Sequence, residues 1–274
     1  MPAALLGSDA EVSEGVSCVS CHGLPEGWLR GHTRPDWTHA QRVAAGMRDL
    51  NDLYTRANTC IACHQNLDPE LVRTGRHPVL IFELDGQTQS EPKHWHEARA
   101  DMGAQAWYVG QAVALREISW ALLNGQAPEG SRERWTALVW LLRRTGLGFE
   151  GAALASSPAS GEPRAADYAA AVEQADLLAR RASLSWKPDY AREALRRLAA
   201  VRADFLDSAV AHQVQACRAD RLVLALDRLV ADLPPEQRPA ASSRLDPLFR
   251  LVQSQPDFAP ADFARALDAF SAAL

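Results

Sequence analysis

The residues of this chain best suited to binding a cofactor or a metal are cysteines and histidines in two short patterns. Each reads Cys-x-x-Cys-His, once at residues 18–22 (CVSCH) and once at residues 60–64 (CIACH). Two thiols three positions apart can each form a thioether with one vinyl group of a porphyrin, and the histidine that follows can ligate the iron. The patterns therefore predict two covalently attached c-type haems. The predicted attachment points are Cys18, Cys21, Cys60 and Cys63, and the predicted proximal ligands are His22 and His64.

The same spacing also suits other chemistry. Two Cys-x-x-Cys pairs are typical of a structural zinc site with four thiolate ligands, and each pair can instead form a disulfide. Haem is favoured because a histidine follows directly in both copies and because seven of the eight histidines lie within residues 1–96. The fifth cysteine, Cys217, is predicted to be a small, buried apolar residue in a helix.

Each iron would have a second axial position, on the face opposite its proximal histidine. Histidine there gives a six-coordinate centre of low potential suited to electron transfer, methionine raises the potential, and an open position permits small-molecule chemistry. The chain has only three methionines. Spare histidines of the same region are therefore the expected ligands.

Composition and charge indicate which kinds of partner and which location to expect for the protein. The net charge is -5 with both signs interspersed, so no nucleic-acid partner is expected. No apolar run approaches the roughly 20 residues that span a bilayer. Residues 1–14 lack the basic start and apolar stretch of a signal peptide. Because bacteria attach haem covalently outside the cytoplasmic membrane, we nevertheless expect a periplasmic or extracellular location.

The elements that must hold the two patterns fall into two regions. Residues 1–96 are short of helical periodicity and rich in His, Cys, Gly, Pro and Trp, as expected of a segment that wraps cofactors and uses them as its core. From residue 97 apolar residues recur at helical spacing, for example Leu115, Ile118 and Leu122. Ser131 is predicted to be the N-cap of the next helix. Further helices are predicted around residues 168–175, 195–205, 222–229, 245–252 and 262–270, with a flexible connection at residues 148–164.

The prediction is a mainly α protein with two parts. Residues 1–96 form a haem-wrapping region with little regular structure, and residues 97–274 form an antiparallel helical bundle. Residues 79–82 (VLIF) are the best strand candidate.

Several segments in a fixed order resemble the multihaem c-type cytochromes related to the cytochrome c-554 family. The similarity covers residues 15–120, whereas family members usually carry further haems on both sides, so this chain resembles a version reduced to two. The resemblance implies His32 and His77 as distal ligands and His94 as a third candidate; His39 and His96 are weaker, and the pairing stays open. The matching segments are residues 15–23 (GVSCVSCHG), 28–33 (WLRGHT), 46–50 (GMRDL), 76–78 (RHP), 82–83 (FE), 92–95 (PKHW) and 110–116 (GQAVALR).

Residues near these histidines could contact the porphyrin ring and the propionates of a haem. Trp28, Trp37 and Trp95 can pack on a porphyrin or elsewhere in the core. Basic side chains that can pair with haem propionates are Arg30, Arg34, Arg76 and Lys93.

Three functions remain open at this point. The expected one is electron transfer by two bis-histidine haems between redox proteins, which makes the chain an electron carrier rather than an enzyme. The second is an enzyme or gas-binding protein with one five-coordinate haem. The third is a haem-bearing subunit of a larger assembly, with other cytochromes or further copies of the chain as partners.

Overall fold

The computed structural model describes residues 17–65, 69–75, 81–86, 102–152, 154, 162–253 and 257–274. Its regular structure is helical, and the only strand-like feature of these residues is an isolated bridge between Phe149 and Ala152, which confirms the mainly α class. The α-helices are α1 Cys18–His22, α2 His39–Ala44, α3 Leu53–His64, α4 Pro69–Thr74, α5 Gly103–Leu123, α6 Ser131–Arg144, α7 Ala165–Leu184, α8 Tyr190–Ala199, α9 His212–Val230, α10 Arg238–Gln253 and α11 Pro260–Ser271, with a 3₁₀ helix at Val201–Phe205.

Helix α5 is the centre of the bundle. Every residue from Ala104 to Leu115 is buried. Apart from Gln105 and Gln111, which have hydrogen-bond partners, this stretch is apolar or small on all sides, and a helix of that kind must be covered all round. It packs against α3, α6, α7 and α9. None of the described helices is both long enough and apolar enough to cross a membrane.

The helices of the bundle follow the predicted periodicity, with two differences. Helix α6 includes Ser131 as its first residue, and Gly130 with a φ of 73° occupies the N-cap, so the predicted N-cap lies one residue too late. The predicted helix around residues 195–205 is divided at Ala200, where α8 gives way to the 3₁₀ helix. Cys217 lies in α9, as the helix prediction for it required, but it is half-buried rather than buried.

The hydrophobic core continues from the bundle into the cysteine-rich region. Leu53, Ala57 and Ile61 recur at four-residue intervals along α3, and all three are buried in the same cluster as the inner faces of α5 and α9. Helix α3 is 12 residues long, which is more regular structure than the prediction for residues 1–96 anticipated. The second Cys-x-x-Cys-His pattern therefore lies on a helix that is part of the main core.

A short segment preceding α5 is also inserted into this core. Phe82 and Leu84 are fully buried, and the side chains of Glu83 and Asp85 are almost completely covered. Gly110 of α5 allows this approach, since a Cβ built at that position would lie 2.8 Å from the Cβ of Leu84. Residues 81–82 form no strand, and the rest of the strand candidate lies outside the described residues.

The predicted connection at residues 148–164 begins as packed structure. Phe149 is buried, with its ring 5.2 Å from that of Tyr190, and the Tyr190 hydroxyl donates to the carbonyl oxygen of Gly148 at 2.8 Å. The middle of the connection, residues 155–161, and the proposed boundary at residues 96–97 lie outside the described residues.

Candidate functional site: the two Cys-x-x-Cys-His turns

Both Cys-x-x-Cys-His patterns form the last turn of a helix. The first makes up the whole of α1 and the second ends α3, so His22 and His64 are each the final helical residue. Helical spacing places residues i, i+3 and i+4 on one face. Each turn therefore presents two cysteine positions and one histidine position on the same side, as thioether attachment and iron ligation require.

The first turn ends at a glycine for a steric reason. Gly23 has a φ of 85°, which side chains with a Cβ rarely adopt, and its N–H donates to the carbonyl oxygen of Val19. The chain consequently leaves α1 sharply after His22.

The two turns are accessible to different degrees. Cys18 is an exposed free thiol, and Cys21 and His22 are half-buried. In the second turn Cys60 packs against the core cluster while His64 is half-buried. Cys63 lies on α3, and its side chain is outside the described part of the structure.

Arg48 connects the two turns directly. Its Nη1 donates to the carbonyl oxygens of Ser20 at 3.2 Å and Cys21 at 2.9 Å, and its backbone N–H donates to the carbonyl oxygen of His22 at 2.8 Å. The same Nη1 donates to Thr59 Oγ1 at 3.4 Å, and Thr59 directly precedes Cys60. The two patterns are therefore neighbours in space. The sequence match included Arg48 within residues 46–50 but assigned it no role.

Helix α3 is held against the bundle by a polar cluster on its other side. The Tyr54 hydroxyl and Arg116 Nη1 each donate to Asp176 Oδ1 at 2.6 Å, and Arg116 Nη2 also donates to Asn58. At the end of the helix Gln65 Nε2 donates to the carbonyl oxygen of Ala114 at 2.9 Å. These contacts connect α3 with α5 and α7, so the second turn has a rigid base.

The ring of His32 is held through one of its two nitrogens. Its Nδ1 donates to the carbonyl oxygen of Leu29 at 2.6 Å, which leaves Nε2 as the nitrogen with a lone pair. A hydrogen bond from one ring nitrogen to a backbone carbonyl is the usual arrangement of a metal-bound histidine, because it sets the tautomer and the ring orientation.

Trp28 lies against both histidines of this segment. Its ring is 6.1 Å from that of His22 and 5.5 Å from that of His32, and its side chain is only 2% exposed. Its Nε1 has no acceptor among the described residues. A buried N–H beside two histidines suits a haem, whose propionates are acceptors. Leu24 and Leu29 expose 61% and 53% of their surface beside the same turn, where a porphyrin would cover them.

The other predicted ligands divide into two groups. His39 Nε2 contacts Asp49 Oδ1 at 3.0 Å, an exposed contact with the residue that follows Arg48. His212, which was not a predicted ligand, is exposed, and its Nε2 donates to the carbonyl oxygen of Phe258. His77, His94 and His96 lie outside the described residues, as do Arg76, Lys93 and Trp95.

Two further side chains proposed to contact haem have partners in the chain. Arg34 forms an ion pair with Asp36, an exposed contact within its own loop. The ring of Trp37 packs against Gly31, where a Cβ would lie 2.5 Å from the ring. Arg30 is exposed.

Among the described residues no group of three or more His, Cys, Asp or Glu side chains is arranged to hold a metal ion.

A second polar cluster lies inside the bundle, around Glu83. Gln111 Nε2 donates to Glu83 Oε1 at 2.9 Å, and Arg221 Nη1 donates to Gln111 Oε1 at 2.8 Å. Burial raises the pKa of Glu83 to about 7, and Asp85 adds to the rise whereas Arg221 and Arg228 oppose it. The sequence match included Glu83 within residues 82–83 but assigned it no role, since only packing in the bundle makes this carboxyl buried.

Comparison of the chain with protein-family models, with curated proteins and with solved structures found no match.

Proposed function

We propose that the chain is a dihaem c-type cytochrome that carries electrons between redox partners. The observation that supports this most is the adjacency of the two Cys-x-x-Cys-His turns, which share Arg48 as a hydrogen-bond donor. Two attachment turns held side by side would place two haems close together, and electron transfer between redox centres requires that proximity.

Each part of the site has a role in this proposal. The haems supply the one-electron chemistry, while the chain attaches them, ligates them and excludes water. His22 and His64 are the proximal ligands, and His32 and His77 are the proposed distal ligands, with His94 as the third candidate. Leu24 and Leu29 would pack against a porphyrin and lose their contact with water, which is favourable by about 25 cal/mol per Å² of apolar surface covered.

The proposal extends to the setting of the protein. We propose a periplasmic or extracellular location, because that is where bacteria attach haem, and redox proteins as partners. The bundle from residue 97 would serve as the base on which α3 is held, since Arg116 and Asp176 of the bundle bind the helix that carries the second turn.

The test is the haem stoichiometry of protein produced in a host that can attach haem c. A pyridine haemochrome assay is expected to give two haems per chain, and one after Cys60→Ala with Cys63→Ala. Cys217→Ala is the matched control, because this thiol belongs to neither turn, and it should keep both haems. Any count other than two for the unmodified chain overturns the proposal.

The ferric absorption spectrum tests the ligands. Bis-histidine ligation predicts a low-spin spectrum that does not change on adding nitric oxide or cyanide. A high-spin component that binds either molecule would instead support the five-coordinate alternative and would contradict the proposed distal ligands.

A further inference from the structure

The turn α1 is too short to be stable by itself. It has five residues, and isolated helices of this length do not persist, because few of their backbone groups find partners within the helix. Its last three carbonyl oxygens, those of Ser20, Cys21 and His22, all accept from Arg48. A cation at the C-terminal end of a helix is also favoured by the helix dipole. Arg48 thus holds the shape of the first attachment turn.

Arg48 is itself held against α3, the helix that carries the second attachment turn. Arg56, buried on α3 one turn before Cys60, donates from Nε to the carbonyl oxygen of Leu50 at 2.6 Å. The Thr59 hydroxyl accepts from Arg48 and donates to the carbonyl oxygen of Thr55 at 2.9 Å. The segment 48–50 therefore packs on α3 at two points while it holds α1 at three.

Arg48 contacts the first attachment turn and the residue before Cys60, so it links the position of one turn to that of the other. Because thioether bonds fix each porphyrin to its turn, the spacing of the turns determines the spacing of the porphyrins. Electron tunnelling and magnetic interaction between two haems both fall steeply with their separation. A residue that sets this spacing therefore influences electron transfer without touching a partner protein.

We propose that Arg48 positions the two attachment turns relative to each other and so sets the coupling between the two haems. This inference rests on the proposed function, since it requires both haems to be present. Arg48 is a positioning residue here, because it acts through the backbone of one turn and the helix of the other.

The geometry distinguishes positioning from a simple effect of charge. All three side-chain contacts of Arg48 are made by Nη1. A lysine keeps the positive charge, but its nitrogen ends a shorter, flexible chain with no planar group to hold it at the position of Nη1. Arg48→Lys should therefore alter the coupling, as Arg48→Gln does. If Arg48 acted only through its charge, Lys would behave like the unmodified protein and Gln would shift both midpoint potentials in the same direction.

The experiment compares four variants of the full haem-loaded protein. Thr59→Val removes the contact of Arg48 with α3 but keeps Arg48 itself and the shape of the side chain at position 59. It therefore still tests the inference if Arg48→Gln does not fold. Arg250→Gln changes an exposed arginine of α10 and is the matched control. The readouts are haem content, the separation of the two midpoint potentials by spectroelectrochemistry, and the spin coupling of the oxidised haems by electron paramagnetic resonance.

The expected result is two haems in each variant, with altered spin coupling and potential separation in both Arg48 variants and in Thr59→Val, and no change in Arg250→Gln. If Arg48→Lys and Thr59→Val both retain the coupling of the unmodified protein, the inference is wrong. A failure of the proposed function looks different, since the unmodified protein itself would then lack one or both haems.

Discussion

The buried carboxyl of Glu83 makes a quantitative prediction about stability and pH. Its side chain is covered by α5 and α9, with Gln111 as hydrogen-bond donor and with Arg221, Arg228 and Asp85 as the neighbouring charges. Burial raises its pKa from 4.5 to about 7, because the ionised form loses its hydration when the protein folds. Folding is therefore linked to retention of a proton at this position.

The direction of the effect follows from which state binds the proton. Between pH 4.5 and about 7 the folded protein keeps the proton of Glu83 while the unfolded chain has released it, so the free energy of unfolding falls as the pH rises through this interval. At 1.36 kcal/mol per pKa unit, the full loss is about 3 kcal/mol. The loss is complete once the pH exceeds the pKa of the folded state.

The substitution Glu83→Gln should remove this dependence. A glutamine matches the protonated carboxyl in shape and can still accept from Gln111, so the two proteins should be similarly stable at low pH. Between about pH 5 and about pH 8 the unmodified protein should lose about 2.5 kcal/mol relative to the variant. Denaturant unfolding at several pH values measures the difference, and Glu236→Gln, at an exposed position of the chain, is the control.

A difference between Glu83→Gln and the unmodified protein that stays constant across this pH range would refute the reasoning. It would mean that the carboxyl is ionised in the folded state at all these pH values, and hence that Arg221 and Arg228 outweigh the cost of burial.

Two further predictions concern how the cysteine-rich region is held to the bundle. Gly110→Ala should lower the free energy of unfolding by about 1 to 3 kcal/mol, since the new Cβ would lie 2.8 Å from that of Leu84; a denaturant titration that shows no loss would contradict the close packing. Asp176→Asn should cost about 1 to 3 kcal/mol, because Tyr54 and Arg116 lose a charged acceptor. Burial opposes ionisation of Asp176, but hydrogen bonds from Tyr54, Arg180 and Arg116 outweigh it and lower its pKa. This contribution should therefore be present at neutral pH and disappear as the pH falls below 3.8, as unfolding of both proteins in acid would reveal.

The helices of the bundle could be predicted from the sequence because their apolar spacing repeats over several turns. Leu222, Leu226 and Leu229 are buried in α9, as their spacing implies. Helix α3 was not anticipated, although Leu53, Ala57 and Ile61 have the same periodicity. Their pattern is short and interrupted by polar residues such as Arg56, which is buried and donates to the carbonyl oxygen of Leu50.

Part of the candidate site could likewise be predicted from the sequence, and part of it could not. A Cys-x-x-Cys-His pattern has a local meaning, because one helical turn brings its three side chains to one face whatever surrounds it. The orientation of His32 was not readable from the sequence, since it depends on a hydrogen bond to the carbonyl oxygen of Leu29. The roles of His77 and His94 remain predictions, as both lie outside the described residues.

The sequence by itself determined which residues are candidates for the chemistry of this protein, namely two sets of two thiols and a histidine at the spacing from which haem attachment is predicted. Only the tertiary structure decided how the two sets are related. Arg48 reaches the first turn across 27 residues of sequence and the second across 11, and such a contact depends on the path of the chain rather than on any local preference. Glu83 likewise acquires its raised pKa only when α5 and α9 exclude water from it, since desolvation is a property of the packed interior.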